Sequence, residues 1–186
     1  MRVIAGAAKG RKLQTIEGLS TRPTTDRIKE TLFNIIAFDL PECHFLDLFS
    51  GSGAIGIEAL SRGAKQAVFV EHNPQCQQVI QENLMHTKLD KQARVIGLEV
   101  PKALAQLSNE KAVFDIIFLD PPYEAEVTEP ALLQIVQGGL LDKDGYIIVE
   151  RSAQIPLASI PGLRVLREKE YRTTVMTFLC LEEEHI

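Results

Sequence analysis

Apolar positions follow two patterns along this chain, short continuous runs and longer stretches with helical spacing. Short runs rich in β-branched and aromatic residues are typical of buried strands, and apolar residues three and four positions apart indicate helices that bury one face. The runs predict strands at 45–49, 67–71, 94–98, 114–119, 145–150, 163–169 and 173–181. The helical spacing predicts helices at 25–38, 54–62, 74–87 and 129–138, with a further short helix that begins at Pro101.

The order of these elements predicts the fold class. From residue 41 onward strands and helices alternate, which predicts an α/β fold with a doubly wound, mostly parallel, Rossmann-like sheet and helices on both faces. The last two strands form an antiparallel pair in this interpretation, and segments 2–5 and 12–15 form a small N-terminal β-hairpin. We therefore expect one domain over 1–186, with a basic hairpin extension at 1–20, a leading helix within 21–40 and the core at 41–186.

The segment Asp120-Pro121-Pro122-Tyr123, here called the proline elbow, directly follows the predicted strand 114–119. The prolines lack N–H groups and have a fixed φ, so the backbone offers only carbonyl acceptors here, and Asp120 adds a carboxylate. Tyr123 adds a flat face on which a base can stack. Acceptors beside an aromatic ring suit a planar substrate with an –NH2 group, such as a nucleobase. The alternative is a turn that only ends the strand, with a buried tyrosine.

A glycine motif follows the predicted strand 45–49. Gly51, Gly53 and Gly56 match G-x-G-x-x-G, a pattern in which a glycine loop and a helix N-terminus bind a dinucleotide. Asp47 argues against a nicotinamide cofactor, because a carboxylate at the strand end would repel a pyrophosphate. The same carboxylate suits a ligand with an ammonium group and no phosphate, and S-adenosylmethionine is such a ligand.

Glu71 ends the predicted strand 67–71. It lies 20 residues after Gly51 (71 − 51), the spacing at which an acidic side chain accepts hydrogen bonds from both ribose hydroxyls. An exposed charge at a strand end is the alternative for Glu71 taken alone. Asp47, Glu71 and Asp120 each close an apolar strand, however, and ligands of open α/β sheets bind outside the carboxyl ends of the strands. Their shared placement favours a binding site.

With these motifs the chain resembles the class I S-adenosylmethionine-dependent methyltransferases, and within them the RsmD family of bacterial small-subunit rRNA guanine-N2 methyltransferases. The resemblance runs nearly from end to end of the chain. It includes segments 2–6, 9–13 and 21–34, the glycine motif, and segment 118–123. The central motifs specify only amino-directed methyltransferases, and the N-terminal segments narrow the match to this family.

The resemblance implies S-adenosylmethionine as the cofactor and direct methyl transfer to the N2 amino group of a guanine in 16S rRNA. The candidate catalytic residues are Asp120, Pro121, Pro122 and Tyr123. The candidate cofactor-binding residues are Thr24, Asp47, Phe49, Gly51, Ser52, Gly53, Glu71, His72, Glu99, Val100 and Asp120. Two places depart from the family pattern. Glu99-Val100 stands where the family usually has an Asp that contacts the adenine amino group, and Arg172 replaces the glycine of a Lys-x-Tyr-Gly segment.

The net charge of −5 is unevenly distributed along the chain. Residues 1–30 contain seven Lys and Arg against three Asp and Glu, a local charge of +4, which leaves −9 for the remainder. Such asymmetry is a sign of a nucleic-acid-binding segment, because phosphate contacts are largely electrostatic. The candidate RNA-binding residues are Arg2, Lys9, Arg11, Lys12, Arg22 and Arg27. Charges that only keep a hairpin soluble are the alternative.

The composition excludes several other classes of protein. The 186 residues are 45% hydrophobic and 24% charged, as in globular proteins. No apolar run approaches the ~18 residues of a membrane span, and no signal-peptide pattern follows Met1. Three widely spaced cysteines without a C-x-x-C pair fit a reducing cytoplasm, and the histidines show no metal-ligand spacing. We expect a cytoplasmic monomer without metal or membrane contact, whose partner is 16S rRNA within the small ribosomal subunit or an assembly intermediate.

Two alternative functions stay open at this point. The first is amino methylation of another RNA, of DNA adenine or cytosine, or of a protein glutamine amide, because the proline elbow suits –NH2 groups generally. The second is a non-catalytic RNA-binding or ribosome-assembly module that kept a cofactor pocket. The N-terminal resemblance argues against DNA and protein substrates, and the intact elbow argues against a loss of catalysis.

Overall fold

The computed structural model describes residues 1–16, 26–122 and 126–182 of the chain. These residues belong to two compact units, Met1–Glu99 and Val100–Ile186. Three predicted site residues, Thr24, Arg22 and Tyr123, lie outside the described residues, as does the predicted cap of the leading helix at Thr24 or Thr25.

The first unit contains a parallel sheet with helices in its connections. In chain order its elements are α1 (Asp26–Ile35), β1 (His44–Leu48), α2 (Ala54–Ser61), β2 (Gln66–Val70), α3 (Pro74–Thr87), a 3-10 turn (Asp90–Gln92) and β3 (Ala93–Ile96). The strand order is β3-β2-β1, and both pairings are parallel. The last four residues of β1 and of β2 are buried, which explains their near-continuous apolar sequences.

The second unit combines a parallel and an antiparallel part. Its elements are α4 (Val100–Asn109), β4 (Phe114–Leu119), α5 (Thr128–Gln137), β5 (Leu141–Ser152), β6 (Leu163–Glu170) and β7 (Thr174–Leu181). The strand order is β4-β5-β7-β6, with β4 and β5 parallel and the other two pairings antiparallel. The predicted final hairpin is therefore confirmed. It closes without the family's glycine, because the Tyr171 N–H donates to the Thr174 carbonyl across the turn at 2.8 Å.

Two elements have an end that lies three or more residues from its predicted position. β5 has 12 residues rather than the six of 145–150, because it pairs with β4 from Leu141 and with β7 as far as Ser152. α1 ends at Ile35 rather than at residue 38, and the Asp39 N–H then closes a turn on the Ile36 carbonyl at 3.0 Å. This turn leaves the Phe38 side chain 97% exposed.

The predicted N-terminal β-hairpin is wrong. Residues 1–16, here called the arm, contain one isolated antiparallel bridge between Arg2 and Lys12 and no strand. The ladder stops because the next backbone donors bind a side chain of α2 instead. The N–H groups of Ile4 and Ala5 donate to the two carboxylate oxygens of Glu58 at 2.8 and 3.0 Å. The arm is therefore bound to a helix along its backbone.

A serine one turn later on α2 continues this attachment. The Ser61 hydroxyl donates to the Ala5 carbonyl at 2.6 Å and accepts the Ala8 N–H at 3.0 Å, while the Ser61 carbonyl accepts the Ala7 N–H at 2.7 Å. Gly6 lies between these contacts with φ 83°, and a Cβ there would come within 1.8 Å of the Ser61 carbonyl oxygen. Only glycine allows the arm backbone to approach α2 this closely.

A buried group of charges lies where the arm meets α1 and α2. The Lys29 ammonium is 3.5 Å from the Glu58 carboxylate, and the side chains of Lys29 and Glu58 are fully buried. Lys29 also donates to the Arg2 carbonyl at 2.6 Å. Arg62 completes the group with its Nε 2.8 Å from Glu58. Burial lowers the pKa of Lys29, and the nearby Glu58 carboxylate opposes this effect. Glu58 pairs with two cations and accepts two arm N–H groups, and it is therefore the main attachment point of the arm.

Candidate functional site

The glycine loop, residues 49–53, leaves the end of β1 with three residues in the left-handed region. Phe49, Gly51 and Gly53 have φ of 61°, 54° and 77°. The Ser50 N–H donates to the Val70 carbonyl at 3.1 Å, which ties the loop to the end of β2. A Cβ added at Gly51 would meet no atom within 4 Å. The loop therefore turns sharply and leaves open space over Gly51, as close approach of a ligand to the backbone requires.

The third glycine of the motif has a packing role. Gly56 lies in the first turn of α2, and a Cβ there would stand 2.4 Å from a ring carbon of Phe69 in β2. Phe69 is itself fully buried. Gly56 is thus required for the close contact of helix and strand, which is the role of the third glycine in dinucleotide-binding loops.

Glu71 follows β2 directly and faces the glycine loop. Its Oε2 accepts the Gly51 N–H at 2.9 Å and its Oε1 accepts the Asn73 N–H at 2.9 Å, while the residue is only 8% exposed. Each carboxylate oxygen keeps a second lone pair after these bonds. The carboxylate is held in one orientation at the loop, with acceptor capacity left for a ligand hydroxyl.

Asp47 lies beneath the glycine loop and is 2% exposed. Its Oδ2 accepts the Gly56 N–H at 2.9 Å, and its carbonyl accepts the Ser50 hydroxyl at 2.6 Å. Burial raises the pKa of Asp47 to about 7, the negative charge of Glu71 adds to the increase, and the Gly56 hydrogen bond acts in the opposite direction. Asp47 therefore binds the loop at Ser50 and the first turn of α2 at Gly56, and its charge is strongly sensitive to its surroundings.

The other predicted cofactor contacts that are described outside the proline elbow differ in their exposure. Phe49 and Ser52 are half-buried on the loop. The His72 side chain is 71% exposed, with its Nδ1 3.4 Å from Glu71. Glu99 is exposed at the end of the unit, and Val100 is buried as the first residue of α4 in the second unit.

The proline elbow begins at the end of β4 in the second unit. Asp120 is half-buried, Pro121 is buried and Pro122 is exposed. Tyr123, predicted to stack on the base, lies outside the described residues. The elbow thus follows a fully buried strand end, Ile116 to Leu119, as the sequence predicts.

A further carboxylate beside the elbow was missed by the sequence analysis. β4 and β5 pair Leu119 with Val149, so Glu150 lies one residue beyond this pair, and it is buried. Burial and the Glu150 charge both raise the pKa of Tyr171. The signal was present, because Glu150 ends the apolar run 146–149 as Glu71 and Asp120 end theirs. Asp47, predicted at a strand end, instead lies inside β1, one residue before its last residue Leu48.

The predicted RNA-binding residues of the arm differ in what they contact. Arg2, Lys9 and Lys12 are exposed. The Arg11 guanidinium is half-buried and donates to the His86 carbonyl near the end of α3. Arg27 is exposed on α1, and Arg22 lies outside the described residues. Three lysine and arginine side chains of the arm therefore point away from its bound backbone.

The part of the chain that is described contains neither a membrane-spanning helix nor a cluster of side chains for a metal ion. None of its helices is long and apolar enough to cross a membrane. Within residues 1–16, 26–122 and 126–182, no cluster of three or more His, Cys, Asp or Glu side chains could hold a metal ion.

Comparison with known proteins assigns the chain to a family. A family model described as "Conserved hypothetical protein 95" matches residues 1–180. The Bacillus subtilis protein YlbH, provisionally named as an rRNA methyltransferase, is 40% identical over 170 residues, which are 91% of this chain and 92% of YlbH. The Haemophilus influenzae Ribosomal RNA small subunit methyltransferase D is 37% identical over 170 residues, which are 91% of this chain and 88% of that protein.

The fold agrees with these relatives. The solved structure of Escherichia coli YhhF, provisionally described as a methyltransferase, has a TM-score of 0.87 at 33% identity and covers 98% of both chains. This likeness confirms the α/β Rossmann-like methyltransferase fold with an antiparallel C-terminal part. Membership of this methyltransferase family confirms S-adenosylmethionine as the cofactor. The chain belongs to the family described as Conserved hypothetical protein 95, the RsmD/YhhF family of S-adenosylmethionine-dependent methyltransferases.

Proposed function

We propose that the chain methylates the N2 amino group of a guanine in small-subunit rRNA. The name of the Haemophilus influenzae relative supports a small-subunit rRNA substrate, and the resemblance of the N-terminal segments to the RsmD family supports guanine N2. The observation that carries the proposal is the Glu71 carboxylate, fixed by two backbone N–H groups beside the open surface of Gly51. This arrangement suits a ribose-bearing cofactor bound against the glycine loop.

The chain's own residues bind and orient the cofactor, which supplies an electrophilic methyl group on a sulfonium. Glu71 accepts the ribose hydroxyls with its remaining lone pairs. The open side of Gly51 allows the ligand to approach the loop backbone. An ammonium group of the ligand near the loop would lower the raised pKa of Asp47 and pair with its ionised carboxylate. Thr24, Phe49, Ser52, His72, Glu99 and Val100 remain predicted cofactor contacts in this proposal.

The proline elbow binds the reacting base. The exocyclic nitrogen of guanine is a poor nucleophile, because its lone pair is delocalised into the ring. In our proposal Asp120 and the Pro121 carbonyl accept its two N–H bonds and favour a pyramidal nitrogen, while Tyr123 stacks on the base and fixes its approach. Pro122 keeps the backbone between them rigid. The guanine must be unpaired or extruded from the stack to reach these groups.

The arm supplies RNA affinity in this proposal. Arg2, Lys9 and Lys12 are exposed on a segment of four basic and no acidic residues, so phosphate can approach them without a nearby carboxylate on the arm. Reversing the charge at Lys9 and Lys12 should weaken rRNA binding and reduce the salt slope by ~0.7–0.9 for each lost phosphate contact. The exposed Lys111, reversed in the same way, is the matched control and should leave the slope unchanged. An unchanged slope in the Lys9 and Lys12 variant would remove the arm from the RNA site.

The substrate is tested by following a tritiated methyl group. The purified protein is incubated with labelled S-adenosylmethionine and one candidate substrate in each reaction. The three candidates are small-subunit rRNA, duplex DNA and a glutamine-containing peptide. We expect label in rRNA alone, recovered as N2-methylguanosine after nuclease digestion. Label in DNA or peptide would support amino methylation of another substrate, and rRNA binding without any label would support a non-catalytic assembly module.

Two variants separate cofactor binding from the reaction. Glu71→Ala should weaken S-adenosylmethionine binding by about 1.5–3 kcal/mol, the range for hydrogen bonds to a charged group, as measured by calorimetry. Asp120→Ala should leave cofactor affinity within a few fold and lower turnover by ~100-fold or more, because an aimed polar group is lost. Full cofactor affinity in Glu71→Ala would show that the pocket is assigned to the wrong residues.

A further inference from the structure

Asn83 on α3 uses its whole amide group to join two parts of the first unit. The residue is 1% exposed. Its Oδ1 accepts the Gln14 N–H at 2.8 Å, and its Nδ2 donates to the Gln14 carbonyl and the Ser52 carbonyl, both at 3.0 Å. Both amide donors are therefore engaged, one on the arm and one on the glycine loop.

The contact with Ser52 fixes the orientation of the loop backbone next to Gly51. The Ser52 carbonyl and the Gly53 N–H share one planar peptide, so the carbonyl direction sets the N–H direction as well. The Gly53 N–H donates to the Ser50 carbonyl at 2.7 Å, and the Gly51 N–H donates to Glu71 at 2.9 Å. Asn83 thus holds one side of the loop, and Glu71 holds the other.

The contact with Gln14 fixes the C-terminal half of the arm. Gln14 binds Asn83 through both its N–H and its carbonyl, while its own side chain is exposed. This clamp is separate from the attachment of residues 4–8 to α2 through Glu58 and Ser61. Displacement of the arm at Gln14 would leave the Asn83 amide with unmet hydrogen bonds in a buried position, which is unfavourable.

We propose that Asn83 is a positioning residue that couples RNA binding on the arm to cofactor binding at the glycine loop. Bound RNA that holds the arm against α3 keeps Asn83, and through it the Ser52–Gly53 peptide, in the orientation that binds the cofactor. By reciprocity, bound cofactor raises RNA affinity by the same factor. The inference rests on the proposed roles of the loop and the arm, and it adds a coupling between them: cofactor and RNA each favour the binding of the other.

The coupling is measured as the effect of RNA on cofactor affinity. S-adenosylhomocysteine binding is measured by calorimetry with and without purified small-subunit rRNA, for the wild type, Asn83→Leu and Thr87→Val. We expect rRNA to raise wild-type affinity about 5-fold or more, and Asn83→Leu to abolish this increase. The RNA-free affinity of Asn83→Leu should also fall about 2- to 10-fold, because the Ser52 carbonyl loses its partner. Thr87 is the control, since its buried hydroxyl donates only to carbonyls of its own helix at residues 83 and 84.

A second pair of variants tests the arm side without changing α3. Gln14→Pro removes the N–H that binds Asn83, whereas Gln14→Ala keeps it and loses only an exposed side chain. Gln14→Pro should abolish the effect of rRNA on cofactor affinity, and Gln14→Ala should retain it. These variants also decide the case if Asn83→Leu fails to fold.

The outcomes distinguish this inference from the proposed function. If rRNA does not change wild-type cofactor affinity, or if Asn83→Leu and Gln14→Pro keep the full effect and lose only thermal stability, the coupling is overturned while the pocket stands. Glu71→Ala, measured in parallel, reports on the pocket itself. Unchanged cofactor affinity in that variant would overturn the pocket and with it the basis of the coupling.

Discussion

Replacing Asp47 with Asn should make the stability of the cofactor-free protein less dependent on pH. The carboxyl group is enclosed beneath the glycine loop, and its pKa is raised from 3.8 to about 7, chiefly by burial. Between these two pH values the folded protein binds more protons than the unfolded chain, so the free energy of unfolding falls as pH rises. The difference between 3.8 and about 7 corresponds to about 4 kcal/mol in the free energy of unfolding. The wild type has lost this amount above pH 7, compared with its stability below pH 3.8. Asn cannot ionise, and its side-chain oxygen can still accept the Gly56 N–H.

Urea unfolding at a series of pH values from 4 to 8 measures this effect. The stability of Asp47→Asn relative to the wild type should rise across the range, by an amount on the order of 4 kcal/mol, and level off above pH 7. Asp47→Ala is the matched control, because it shares the loss of charge but also loses the hydrogen bond to Gly56. Its curve should run parallel to that of Asp47→Asn at lower stability. A difference from the wild type that does not change with pH would refute the reasoning.

Three further changes probe the arm, the loop and the elbow. Glu58→Ala leaves the buried Lys29 without its counter-charge, and the free energy of unfolding in urea should drop by ~3–5 kcal/mol; a drop below ~1 kcal/mol would contradict the attachment role. Gly56→Ala forces a Cβ against the Phe69 ring and should cost ~1–3 kcal/mol in the same assay, and unchanged stability would contradict the packing role of Gly56. Tyr123→Ala should impair methylation of rRNA more than Tyr123→Phe, and equal losses of turnover would exclude stacking.

The core strands could be predicted because their sequences are dictated by burial alone. β1, β2 and β4 are almost entirely buried, and their apolar sequences allowed their positions to be predicted to within one residue. Glu71 and Asp120 directly follow β2 and β4, whereas Asp47 lies inside β1, one residue before its end. β5 was predicted too short because its first residues pair with β4 through an irregular register between Phe114 and Ile116, and pairing of this kind has no apolar signature. The end of α1 was missed for a related reason, since Phe38 is apolar in sequence yet exposed.

The arm was misjudged because its hydrogen bonds go to side chains far along the chain. Glu58, Ser61 and Asn83 each bind arm backbone groups from positions 53 to 69 residues away. The available signal was a single charged residue, Glu58, within a largely apolar helix, all eight residues of which are buried. Such a residue must be paired inside the protein. Sequence alone shows that a partner exists, and only the fold shows that the partner is the arm.

The packing of the arm and its positive charge are compatible, because different atoms serve each purpose. Its backbone binds Glu58, Ser61 and Asn83, whereas the side chains of Lys9 and Lys12 are exposed. Deleting the arm would therefore test nothing about RNA, since it would expose the buried Glu58 carboxylate and remove two of its donors. Charge reversal at exposed positions changes the electrostatic surface and leaves these buried contacts in place. The two kinds of variant should consequently change different properties. The Lys9 and Lys12 reversals should alter salt-dependent RNA binding, and Glu58→Ala should alter the free energy of unfolding.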